Sequence, residues 1–248
     1  MALLDGERRA ELVGSLGAVR ARIANACIAA GRDARAVTLI AVTKTHPARD
    51  VATLATLGVL DIGESRDQEA SAKVAEVAEL RRTGVGERSE AELRWHFVGQ
   101  LQSRKARSVA TYAHAVHSVD RPELVEPLAA GVTRAEREGL DVFIQVSLDG
   151  DPARGGVLGD DVLALADAVA ARSQLRLRGV MAVAPMDADP RAAFADLAGV
   201  SARLRAAHPQ AVAISAGMSA DLEEAIAHGS THVRVGSALL GRRTQVFG

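Results

Sequence analysis

The chain has 248 residues, 48% of them apolar, and 30 basic against 31 acidic side chains give a net charge of −1. That length suits a single α/β barrel and buries enough surface for a core without staples. The charge balance argues against the broad basic face that a nucleic-acid partner requires, and one cysteine, Cys27, excludes an internal disulfide and a multi-cysteine zinc site.

The first 16 residues, MALLDGERRAELVGSL, lack the basic-then-apolar order of a signal peptide. No run approaches ~18 uninterrupted apolar residues. A cytoplasmic protein with no membrane partner is expected. An amphipathic helix is expected around residues 7–30, and it buries Cys27 in AVRARIANACIAAG.

The first strand is VTLIAV (37–42), and Lys44 stands where its apolar run stops. GVLDIG (58–63) follows, with Gly63, Glu64, Ser65 and Arg66 at its end, and then a helix, DQEASAKVAEVAELRR. TGVGERSE (83–90) reads as a mobile loop. The basic pairs at 81–82 and 242–243 read as solvated surface. LRWHFVG (93–99) carries His96 and Gly99 near its end, and AVHSVD (115–120) carries Ser118 and Asp120. VFIQVSL (142–148) precedes a helix in DDVLALADAVAARSQ; LRGVMAVA (177–184) brings Met181 and Pro185. AVAIS (211–215) and THVRVGSALL (231–240) complete eight strands.

Strands alternating with helices imply parallel pairing through right-handed crossovers. Eight such units in this length predict one domain, residues 1–248, folded as a single (β/α)8 TIM-type barrel with an extra N-terminal helix; an open doubly wound sheet is the alternative. The polar residues at the strand ends then converge on one rim, where barrel active sites are built.

The last two units carry the strongest local signal. Ser215, Gly217, Met218 and Ser219 precede a helix, DLEEAIAHG, for which Ser219 is the expected N-cap and Gly229 the stop. Arg234, Val235, Gly236 and Ser237 close the eighth strand. Two small-residue turns on adjacent strands suit a phosphate. A lysine at a barrel mouth can be desolvated, which lowers its pKa and leaves an amine able to attack an aldehyde. Aldehyde chemistry beside a phosphate cradle points to pyridoxal 5′-phosphate (PLP). Lys44 pointing to water, or a sugar phosphate with aldolase-type lysine chemistry, are the other readings.

AVTKTHP, GESRDQEA, WHFVGQLQSRK, HSVDR, GVMAVAP and SAGMSADLEEAIAHGSTHVRVGSALLG occur in this order. Together, from about residue 10 onward, they resemble the pyridoxal phosphate homeostasis protein family, also called PLP-binding proteins. The resemblance implies the type III PLP fold, similar to the barrel domain of alanine racemase. It implies that Lys44 holds PLP as a Schiff base. Ser215, Gly217, Met218 and Ser219 match the loop at the phosphate, Gly236 and Ser237 its second wall, and Arg234 the arginine facing the pyridine nitrogen. His96 and Met181 match positions around the cofactor pocket. Ser65 stands where the family usually has Asn, and Leu240 where an aromatic often precedes the final glycine.

An arginine is always charged, so beside a pyridine nitrogen it donates and leaves that nitrogen unprotonated, a weaker electron sink. Alanine racemase works with a lysine and a tyrosine brought by a partner's second domain; here a barrel alone is expected. The one tyrosine, Tyr112, in ARSVATYAHAV, reads as a packing or surface residue outside the barrel. The expected function is therefore PLP binding in intracellular vitamin B6 homeostasis, with delivery to apo PLP-dependent enzymes, as a monomer. The alternative is a small PLP-dependent amino-acid racemase with His96 as its second base. A barrel for a sugar phosphate is a third. No pair of histidines has HExxH or HxxEH spacing, so no metal is expected.

Overall fold

The computed structural model describes residues 2–83 and 92–241. Its centre is a closed barrel of eight parallel strands in chain order: β1 (Thr38–Val42), β2 (Asp61–Glu64), β3 (Arg94–Phe97), β4 (Ala115–Val119), β5 (Leu140–Gln145), β6 (Leu175–Met181), β7 (Ala213–Ser215) and β8 (His232–Val235). Closure runs through β1 and β8, with Thr38 opposite His232 and Ala41 opposite Val235. Outside lie α1 (Ala2–Ala29), α2 (Ala48–Thr56), α3 (Asp67–Arg82), α4 (Ser103–Tyr112), α5 (Val125–Arg134), α6 (Val162–Ala170), α7 (Pro190–Ala207), α8 (Leu222–Ala227) and α9 (Ser237–Leu240).

The period-two alternation of each strand sorts its side chains between helices and barrel interior. Ala41, Ile62, Val233 and Val235 join one helix-side cluster with residues of α1 and α2. Val116, Val142, Ile144, Val180 and Ile214 join a second under α4 to α7. The opposite parity points inward. A side chain at Gly63 would meet Ile40 and Val42 there, and Ala115, Phe143, Met181 and Ala213 form a small apolar layer. Histidines 96 and 117 and Arg234 share this parity, so the barrel centre is partly polar.

Segment 6–29 of α1 is long and apolar enough to cross a membrane by length and composition. In the fold, its stripe of Leu12, Leu16, Val19, Ile23 and Cys27 is buried, and the helix packs on α8 and α9. Burying each large residue of such a stripe stabilises by roughly 1.5–3 kcal/mol.

Three expectations are corrected. The eighth strand stops at Val235 rather than 240, because Gly236 turns the chain into the short α9. The second begins at Asp61 rather than 58. Ser219 does not cap a helix: α8 starts at Leu222, and Asp221 Oδ1 accepts the Met218 amide at 2.6 Å. Residues 84–90 of the TGVGERSE stretch and the basic pair at 242–243 lie outside the described residues.

Candidate functional site

A cleft of about 680 Å³ opens at the C-terminal rim, between the ends of β1, β6 and β8 and the loop after β7. Lys44, His46, Met218, Ser219, Arg234, Gly236 and Ser237 line it, with Val42, Val98 and Val183 as apolar wall.

The alternation of β1 carries past its end. Thr43 is buried on the outer side and donates its hydroxyl to Glu64 Oε1 at 2.6 Å. Lys44 therefore takes the inner side and lies in the cleft. Thr45 follows at φ +67°, a left-handed conformation that is an outlier for a β-branched residue and marks a strained turn. The strain is held from below: the Thr45 amide donates to Glu69 Oε1, and buried Lys73 bridges Glu69 at 2.9 Å, Glu64 at 2.7 Å and the Thr43 carbonyl at 2.8 Å. Glu64 Oε2 has no partner, and burial raises the Glu64 pKa against the opposing pull of Lys73.

His46 lies two residues beyond, with Nδ1 3.7 Å from Asp50 Oδ2. Arg8 of α1 fixes that carboxylate with bonds of 2.7 and 3.3 Å and also donates to the Leu240 carbonyl at 3.1 Å. The N-terminal helix thus ties the lysine turn to the end of α9.

Gly217, at φ +89°, lets the loop after β7 pass α8 closely: a Cβ there would sit 2.7 Å from the Ala225 Cβ. Its carbonyl accepts the Arg234 amide at 2.9 Å. Ser219 Oγ accepts the Ala238 amide at 3.3 Å, so the two small-residue turns are joined. The Arg234 guanidinium is buried beneath them. It donates through Nη1 to the carbonyl and hydroxyl of Ser215 at 2.7 and 2.8 Å, and through Nη2 to the Ala182 carbonyl at 2.9 Å. Burial pulls its pKa down to about 10, still charged at neutral pH. These bonds leave Nε–H and part of Nη2 for a ligand.

The remaining expected site residues do not line the cleft. Met181 lies in the apolar layer inside the barrel. Ser65 packs its backbone against Gly99, where a Cβ would stand 2.2 Å from the Ser65 carbonyl oxygen. Ser215 and Gly217 support Arg234 from below. His96 is deeper still, with Nδ1 2.9 Å from His117 Nε2 and Nε2 2.9 Å from Asp61 Oδ1. Tyr112 packs between both helix-side clusters with its hydroxyl 3.4 Å from Asp67 Oδ1, and burial, then the Asp67 charge, push that phenol well above its ordinary pKa.

His46, Val98 and Val183 enter the site without having been singled out in the sequence. His46 had a signal, its place two residues from Lys44. The valines had none beyond strand parity. Of the three lysines in the chain, Lys44 is the one in the cleft; Lys73 is committed to two glutamates, and Lys105 stands 3.4 Å from Asp67. An amine, an imidazole, a guanidinium and two glycine–serine turns in one cleft suit an anionic carbonyl compound.

The fold and this rim define a barrel of the alanine racemase type, and residues 15–244 match the family model for the alanine racemase N-terminal domain. The chain is 45% identical to the pyridoxal phosphate homeostasis protein of Mycobacterium leprae over 96% of this chain and 95% of that one. It is 36% identical to the Escherichia coli K12 protein of that name, over 94% and 97%. PipY of Synechococcus elongatus PCC7942, solved with PLP bound, superposes with a TM-score of 0.73 at 34% identity, covering 83% of this chain and 93% of that one. An alanine racemase of Clostridium difficile shares the fold at 15% identity, TM-score 0.69, over 95% of this chain and 58% of that one. The chain belongs to the pyridoxal phosphate homeostasis protein family.

Proposed function

We propose that this chain binds PLP in the rim cleft and serves PLP homeostasis, holding the cofactor on Lys44 and passing it to apo PLP-dependent enzymes. The observation that carries this reading is the placing of Lys44, Arg234 and the paired turns at Met218–Ser219 and Gly236–Ser237 around one cleft. Relatives of that name and PLP-bound PipY support it.

PLP supplies an aldehyde that condenses with an amine, and the residues present fit it. Lys44 supplies the amine. The two turns offer backbone amides and hydroxyls of small residues, suited to a phosphate. Arg234 has N–H groups left for the ring nitrogen and, being a pure donor, keeps a proton off it. Its charge also favours the anionic ligand. Val42, Val98 and Val183 give the ring an apolar wall. Two candidate second bases lie away from the cleft, which favours holding over turnover: His96 has both nitrogens engaged in the barrel core, and Tyr112 is turned towards Asp67. The imidazole in the cleft is that of His46, 3.7 Å from the Asp50 carboxylate. We place this activity in the cytoplasm and assign it to the monomer.

Titration of the apo protein with PLP and with pyridoxal, which lacks the phosphate, tests the reading. A new visible band with PLP, a far weaker response to pyridoxal and no band in Lys44→Ala are expected. A colourless protein at saturating PLP would overturn it. Delivery is tested by mixing loaded protein with an apo PLP-dependent enzyme and following recovered activity against free PLP.

A further inference from the structure

A line of hydrogen bonds crosses the barrel interior and ends in the cleft. It begins at Asp61, the first residue of β2, which Arg94, two residues before His96 on β3, pairs with bonds of 2.7 and 2.5 Å. It continues through His96 at 2.9 Å, His117 at 2.9 Å, Ser215 at 2.8 Å and Arg234 at 2.8 Å. Asp61, His96, His117, Ser215 and Arg234 are all buried. Burying five polar groups in a barrel centre is costly unless every one is satisfied.

The ends impose a direction. A carboxylate only accepts and a guanidinium only donates. Burial works against the Asp61 charge, yet the bonds from His96 and Arg94 hold its carboxyl well below the usual range. Burial, reinforced by His96, His232 and Arg234, holds His117 well below its ordinary value, hence neutral with one N–H. The arrangement that adds no further charge has His96 Nε2–H donating to Asp61 and His117 Nε2–H donating to His96 Nδ1. The Ser215 hydroxyl then donates to His117 Nδ1 and turns its lone pairs to Arg234. Every donor points toward Asp61, and each bond polarises the next. The reverse order needs a protonated His96, a second cation in a core that already holds Arg234. The line is not a proton wire, because the guanidinium at its end keeps its protons.

We propose that Asp61, His96, His117 and Ser215 are positioning residues, a one-way hydrogen-bond line that fixes Arg234 and sets how strongly it donates into the cleft. The far end of the barrel thereby acts on the bound molecule through groups that do not touch it. The proposal rests on the PLP reading only for its second readout.

The first readout needs no cofactor. Two-bond ¹⁵N–¹H correlations on the unmutated protein at neutral pH report each imidazole's tautomer. His96 and His117 should both be neutral and protonated at Nε2. A proton on His117 Nδ1, or a doubly protonated His96, overturns the proposal. The second uses His117→Phe, which keeps the stacking on Phe143 (4.2 Å between centroids, 10° between planes) and cuts both links. PLP should bind roughly tenfold more weakly, the scale of one charge-assisted hydrogen bond, with a displaced absorption band. His117→Gln, whose amide both donates and accepts, should restore band and affinity. Unchanged binding and band in His117→Phe, or no restoration by His117→Gln, overturns the proposal. If the unmutated protein takes up no PLP, the functional reading fails, while the tautomers still decide the line. They also decide it if His117→Phe does not fold.

Discussion

Lys73 donates to the backbone carbonyl of Thr43 at 2.8 Å, so a buried ammonium on α3 holds the residue just before Lys44. The same ammonium pairs Glu64 and Glu69, and Glu69 holds the strained Thr45 amide. One side chain away from the cleft thus sets the path of the turn that presents the cleft lysine.

Lys73→Met should therefore damage both fold and binding. It leaves the Thr43 carbonyl and the Glu64 carboxylate buried without their cation, a loss of about 3 kcal/mol for breaking a buried pair. Denaturant titration checks the stability. PLP titration of the folded fraction should show weaker binding, because the turn bearing Lys44 is no longer fixed.

Thr45→Gly should act in the opposite sense on stability. The residue is exposed and sits at φ +67°, where glycine carries no strain. Relief of strain, less the entropy glycine loses on folding, gives a gain of up to about 1 kcal/mol. A loss of stability in this variant would show that the Thr45 side chain, not its backbone, is what the turn uses.

Gly217→Ala should lose 1–3 kcal/mol, roughly, from its positive φ and the overpacking of Ala225. The variant pushes α8 away from β7 and opens the loop joined to α9 through Ser219. Its PLP affinity should fall, while PLP that does bind should still be reducible onto Lys44.

Acid should destabilise the barrel from its centre. Burial, chiefly, pulls His232 down to about 4 and His117 well below its ordinary value. A histidine lowered in the folded state is neutral there, whereas the unfolded chain takes up its proton from about pH 6.5 downward. The stabilisation is complete above that pH and is lost as pH falls through about 4; for His232 alone it is on the order of 3 kcal/mol. Unfolding free energies measured from pH 7 to 4 should fall steadily, and a His232→Leu variant should show a shallower slope.

Much of this was legible in the residues. Every strand was visible as an apolar run, and the polar residues at their ends marked the rim. Gly217, Ser219, Gly236 and Ser237 announced the paired turns. Their detailed geometry was not legible: Ser219 reads as a helix cap, but its hydroxyl bonds across to Ala238, a partner 19 residues away. Strand ends misled where glycine redirects the chain, as at Gly236. The polar line from Asp61 to Arg234 was hidden because each of five strands contributes a single member, and no local pattern links them. β3 and β4 pair directly, but only closure of the barrel brings β4 across from β7 and makes His117 and Ser215 neighbours. The Lys73 cluster was hidden likewise, since a lysine in DQEASAKVAEVAELRR reads as solvated helix surface.

The central claim is that Lys44 is the amine that receives the cofactor. Borohydride reduction of the PLP-loaded protein, followed by proteolysis and mass spectrometry, tests it with three lysines to choose from. The account predicts the reduced pyridoxyl phosphate mass on the peptide containing Lys44, and none on peptides containing Lys73 or Lys105. Stoichiometric label on either of those, or a reducible adduct that survives Lys44→Ala, would contradict it.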